Sequence, residues 1–297
     1  MSETPWIPAA REWLRTHVLP ACAAGAEDLV TRLASAPAGT LGPELSKASR
    51  FARSKPLGIS PEAACKAAGI RPGWNPERLQ ALEGLRMLGL LSRDDLATPE
   101  FAAGFLGLFA FADEGELRAL YKTMALLPAG ERFAWQAAEG CRANVLGVFE
   151  AVACDTPYPA AYFDDVAWRS LCIKAVFLGA PLWRVAGIDG RGSEDVARVA
   201  LDLVEERRSA GRPVPGDLWI LVGRFGGERA HRHLLEAWQA APEGSRGPLA
   251  LALARAGLQD RLPAPEAAGA DRKAVEMALA GDTDPARWRV FSVAAGA

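Results

Sequence analysis

The 297-residue sequence lacks most of the features that would announce a function. Its five cysteines, Cys22, Cys65, Cys141, Cys154 and Cys172, are odd in number and never spaced as CxxC. That argues against a disulfide framework or a cysteine zinc site and fits reduced thiols. Histidine is scarcer still, with three residues. His231 and His233 form an HxH pair, but on a helix residues i and i+2 point roughly 200° apart, so one ion cannot easily take both. His17 is remote and no Glu/His ladder accompanies the pair, so no metal and no other cofactor is expected. Only six of the 34 basic residues are lysine, the formal net charge is -2 and the pI is about 6.0, so no global basic field exists and nucleic acid is not an expected partner. Long apolar runs are absent as well. The stretches 101–112 and 171–183 fall short of the ~20 residues that span a bilayer, and the N-terminus lacks the basic and apolar regions of a signal peptide. The expectation is a soluble, cytoplasmic protein without direct membrane insertion. No GxGxxG, GxxxxGK[ST], GxSxG or HExxH occurs, which removes the common nucleotide folds, the serine hydrolase elbow and the zincins. Asp164-Asp165 has no following acids at DDxxD spacing.

What is present is helix-forming. Alanine, leucine, arginine and glutamate dominate, while alternating Val/Ile/Thr runs are almost missing. Helices are expected at about 8–19, 23–35, 44–53 and from Ser60-Pro61-Glu62 to Gly69, where serine caps and proline takes the first turn. Asn75-Pro76-Glu77 repeats that grammar ahead of leucines 79, 82, 85 and 88, and Thr98-Pro99-Glu100 opens a helix whose run FAAGFLGLFAF is apolar on all faces and so expected to be buried. Helices at 113–127 and 128–141 follow, then helix after helix to 221. Beyond Gly226 the chain reads as helical hairpins at 228–258, 271–279 and 285–290. The expected fold is all-α, a multi-helical domain with a solenoid-like (HEAT-like) C-terminal part. The expected divisions are N-terminal helices at 1–41, a helical domain at 42–225 and C-terminal hairpins at 226–297, packed as one unit with it.

The candidate chemistry concentrates between 139 and 225. Lys174 lies in the apolar run Leu171–Leu178, where an amine must reach solvent, meet a carboxylate such as Glu150, Asp165 or Asp189, or serve a ligand. A structural ion pair is the leading reading, ahead of ligand contact and covalent chemistry. Arg184, Asp189 and Arg191 bracket Gly187 and Gly190, and two guanidiniums around one carboxylate either tie a helix end or leave donors for an anion. Trp168, Trp183 and Trp219 with Tyr158, Tyr162, Phe163 and Phe177 concentrate aromatics that are plain core or the lining of a pocket.

The segment EGCRANVLGVFEAVACDTPYPAAYF, then KAVFLGAPLWRVAGIDGR and EERRSAGRPVPGDLW, together with FARSKPLGISPEAACKAAGIRPGW upstream, resembles the EboA family over about residues 40–225. The resemblance implies a bacterial protein of a biosynthetic cluster for a secondary metabolite, with no agreed catalytic residues to carry over. Two departures stand out: Arg169 replaces a frequent Asn, and LVEERR stands where the family often has an aromatic-rich helix. The leading expectation is metabolite binding or trafficking, with ligand residues Arg142, Asn144, Tyr162, Trp168, Lys174, Phe177, Trp183, Arg184, Asp189 and Arg191. The ligand would be aromatic or apolar with an anionic group, and other proteins of the cluster are candidate partners. A metal-independent cyclase, isomerase or lyase working through Lys174, Asp165, Glu150 or Tyr162 is the alternative. A protein-interaction scaffold is the second alternative. Whether the chain is an enzyme stays open at this level.

Overall fold

The computed structural model describes residues 4–292. Among the described residues, α-helix and 3-10 helix together make up 67%, with 17 α-helices and no strand, only an isolated bridge between Pro56 and Gln80. None of these helices is long and apolar enough to cross a membrane. The chain divides into two compact units, 1–164 and 165–297.

The first unit holds α1 (Ile7–Val18), α2 (Ala26–Ser35), α3 (Leu41–Ser46), α4 (Pro61–Ile70), α5 (Ala81–Leu91), α6 (Pro99–Leu108), α7 (Glu114–Met124), α8 (Ala134–Gly140), α9 (Leu146–Ala153) and α10 (Tyr158–Tyr162). Its centre is α5, every residue of which is buried, packed against α1, α2 and α7. Two glycines make that packing close. A Cβ at Gly84 would come within 2.6 Å of Val18 on α1, and one at Gly89 within 2.3 Å of Leu33 on α2. Bare backbone at both positions lets two neighbouring helices press onto α5.

Local capping starts several of these helices where the sequence signals it. The Ser60 hydroxyl accepts from the Ala63 amide at 3.2 Å and the Thr98 hydroxyl from the Phe101 amide at 3.1 Å, each ahead of a proline in the first turn. Asp113 and Glu116 exchange bonds in a capping box that opens α7. Three expectations need correction. The cap at Asn75 begins only a 3-10 turn, Pro76–Arg78, because Leu79 is extended and its carbonyl accepts from the Leu57 amide; α5 starts later, on a Gln80–Glu83 capping box. Helix 44–53 is instead α3 followed by a 3-10 turn, Lys47–Arg50. The helix expected at 128–141 is broken at Ala129, whose φ of 47° is left-handed, and resumes through a 3-10 turn into α8.

The second unit holds α11 (Asp165–Leu178), α12 (Glu194–Ser209), α13 (Leu218–Val222), α14 (Gly227–Ala240), α15 (Gly247–Arg255), α16 (Arg272–Leu279) and α17 (Arg289–Ser292). Apolar faces of α12 and α13 meet, and α15 packs against α13, α14 and α16. Helices of 5, 14, 9, 8 and 4 residues follow one another from α13 onward and show no repeat of fixed length.

Candidate functional site

In the second unit, Arg191 pairs with Asp165 at 2.8 Å, and its guanidinium lies 4.9 Å from the centre of the buried Trp168 ring. Asp189 is held from elsewhere. Arg255 on α15 grips it with both terminal nitrogens and Arg224 approaches to 3.5 Å, so the turn at Gly187–Gly190 is tied to α15. Arg169 pairs with Asp195. Arg184 and Lys174 are half-buried, Phe177 is 58% exposed, and Trp183 lies under Arg289 with 5.9 Å between guanidinium and ring. Of the HxH pair, His233 is buried. Its Nε2 is 2.9 Å from Glu205 and its Nδ1 is 3.1 Å from Arg208, so it ties α14 to α12. Among the described residues no three His, Cys, Asp or Glu side chains gather as a metal ion would need.

In the first unit, Arg142 and Asn144 are exposed, with Arg142 paired to Glu139, while Glu150 is half-buried on α9. The Tyr162 hydroxyl accepts from Arg71 at 3.4 Å, and its ring covers Gly130, where a Cβ would come within 2.5 Å. Tyr158 donates to the Gly130 carbonyl at 2.5 Å, and burial pushes its phenol well above the ordinary tyrosine range.

The feature that the sequence reading did not single out lies between α3, α6 and α7. The run FAAGFLGLFAF is not buried all round. Phe101, Ala102 and Phe105 enter the core, whereas Phe111 is 94% exposed. Gly104, Gly107 and Leu108 form one wall of an open groove of about 600 Å³, facing Gly42, Pro43, Leu45 and Ser46 of α3 and Leu120 of α7. Nothing lies within 4 Å of where a Cβ on Gly107 would stand, so its missing side chain leaves open space. Among the described residues, one charged side chain lines the groove, Glu116. Its Oε1 accepts the Ser46 hydroxyl at 2.6 Å and Arg86 Nη2 at 3.3 Å, and its Oε2 accepts the Asp113 amide at 3.2 Å. Arg86 sits on α5, 2% exposed, with Nε bonded to the Leu45 carbonyl at 3.4 Å. Burial pulls its pKa down while Glu116 holds it up, and a guanidinium stays charged in that setting.

A second carboxylate, Glu83 of α5, is also held by cations. Glu83 meets Lys122 at 2.6 Å and Arg118 at 2.7 Å and caps Gln80 at 3.1 Å. Desolvation lowers the Lys122 pKa, with Glu83 the main opposing influence. The signals that could have marked the groove are the two glycines inside an apolar run and the two charges, Glu83 and Arg86, inside a leucine-rich helix.

The second unit has a larger cavity, about 780 Å³, lined by Arg208, Arg212, Trp219, Pro242, Leu249 and Phe291 among others. Architecturally the molecule is an all-α, multi-helical protein carrying an apolar groove in its first unit. The model of the family described as metabolite traffic protein EboA matches residues 9–223, well over half of the chain. The chain belongs to the EboA family. No curated protein and no solved structure matches it. The groove of the first unit lies wholly inside the matched stretch, whereas much of the larger cavity is lined by residues beyond 223.

Proposed function

We propose that the chain binds a mostly apolar small molecule in the groove between α3, α6 and α7, and that holding this compound is its part in metabolite traffic. The observation that carries the reading is an open apolar groove with a single buried ion pair at its base, within the stretch that matches the family. A volume of about 600 Å³ lies inside the range of small-molecule sites, and a few placed polar groups in an apolar lining are the usual composition of such sites. The family resemblance supports reading the compound as a secondary metabolite of a bacterial biosynthetic cluster. The smaller cavity is preferred over the larger one because traffic is the property of the family, and the family match ends at 223.

The test is native mass spectrometry of the full chain purified from its own host, beside Gly107→Phe. A phenylalanine there enters open space, and replacing a helical glycine adds helix propensity, so the fold is expected to survive with an unchanged or slightly higher melting temperature. The expected result is a co-purifying compound in the wild type that is lost in the variant. The same compound at the same occupancy in Gly107→Phe would place the site elsewhere.

A further inference from the structure

We infer that the groove takes a compound whose polar end is a hydrogen-bond donor without negative charge, a hydroxyl or an amine, and that it discriminates against carboxylates and phosphates. The inference rests on the reading that this groove is the ligand site; it keeps the apolar body that the sequence suggests and replaces the anionic group with an uncharged or cationic donor.

The argument starts from the charge at the groove's base. Among the described residues Glu116 is the one charged residue that lines it, and its side chain is 10% exposed. Arg86 compensates that charge from behind. It is not among the lining residues, its own side chain is 3% exposed, and its Nε is bonded to the Leu45 carbonyl. A ligand entering from the open side therefore meets the carboxylate and not the guanidinium. An anionic head brought to that depth faces like charge in a partly dry site, where screening is weak.

Ser46 sets the hydrogen-bond polarity. A hydroxyl has one proton to give, and the Ser46 proton has two acceptors within reach, Glu116 Oε1 at 2.6 Å and the Gly42 carbonyl at 3.2 Å. The shorter, charge-assisted bond to Glu116 is the stronger one. With its proton directed there, Ser46 Oγ can act towards a ligand only as an acceptor. Glu116 likewise only accepts while ionised. Both polar groups that the groove offers thus call for a donor. A ligand hydroxyl would extend the chain from ligand to Ser46 to Glu116, each bond polarising the next. An ammonium would add attraction to the carboxylate. An ether, a ketone or a carboxylate has no proton to offer either group.

The experiment uses three probes that share a ten-carbon chain, 1-decanol, decylammonium and decanoate, titrated calorimetrically at neutral pH into full-length wild type, Ser46→Ala and Gly107→Phe. The expected result in wild type is that decanol and decylammonium bind about tenfold or more tightly than decanoate, with all binding lost in Gly107→Phe. In Ser46→Ala, decanol should lose most of its advantage while decylammonium, attracted by Glu116, keeps more of its own. Decanoate binding as tightly as decanol in wild type, and failing in Gly107→Phe, would overturn the head-group inference and leave the groove as the site. Binding of any probe that persists in Gly107→Phe, or no binding of any probe to wild type, would overturn the groove reading and this inference with it.

Discussion

Glu83 carries more charge around it than any apolar helix surface would tolerate unpaired. Lys122 and Arg118 both contact it, and it stands on a helix with no accessible residue. Glu83→Leu would leave two cations without their shared acid, and breaking a buried pair in this way costs about 3–5 kcal/mol. Urea unfolding followed by circular dichroism should show the midpoint falling with an unchanged slope; a loss below about 1 kcal/mol would mean that water already supports the two cations. A different carboxylate gives a pH signature. Arg229 first and His233 next hold the Glu205 carboxyl below its ordinary pKa. A depressed carboxyl contributes stability that is complete above its unfolded value of ~4.3 and is lost as pH falls through the folded value. The melting-temperature gap between wild type and Glu205→Gln should therefore be open at neutral pH and close below about pH 4, and a gap that stays constant down to strong acid would exclude this linkage.

At the scale of the element, the helix starts were legible wherever the cap is local. Ser60, Thr98 and Asp113 each bond an amide three residues on, and such a bond depends on nothing distant. Asn75 shows the limit. It makes an equally local cap, to the Glu77 amide, yet the chain is drawn out at Leu79 to Ala81 by bonds to Leu57 and Lys55 that no local pattern announces. The run on α6 failed for a related reason. Periodicity tells which faces are apolar but not which of them finds a covering helix, and Gly104 with Gly107 left one face open. The base of the groove joins residues 30 and 70 positions apart in sequence, which is why Glu116 and Ser46 did not stand out as candidates. The same close packing that hides α5 makes a prediction. Gly89→Leu would drive a side chain into Leu33 and cost about 1–3 kcal/mol by overpacking, read as a lowered melting temperature, whereas Gly107→Phe on α6 should lower it hardly at all.

For the whole molecule, the family match and the folded units do not share a boundary. The match ends at 223, just after α13, while the second unit continues to 297. Helix α13 is buried along its whole length, and α15 supplies part of its cover, close enough that a Cβ on Gly223 would meet the Ala252 carbonyl at 2.9 Å. A chain cut after 223 should therefore expose Trp219 and Leu221, bind a hydrophobic dye and be digested rapidly in its second unit. Resistance to protease equal to that of the full chain would show that α14–α17 are dispensable. All-α character was legible from composition because helix propensity sums over many residues. The division into units at 164/165 depends on which helices share a core, and that is a property of contacts rather than of segments.

The complete burial of α5 also turns it into a gauge. Its amides cannot meet solvent while its neighbours stay in place, so their hydrogen–deuterium exchange requires the first unit to open as a whole. Arg86 anchors the groove's base to this helix, and any compound that binds only the closed form slows that opening by the factor 1 + [L]/Kd. Exchange at the α5 amides would thus report how tightly the groove is filled without a label or dye near it.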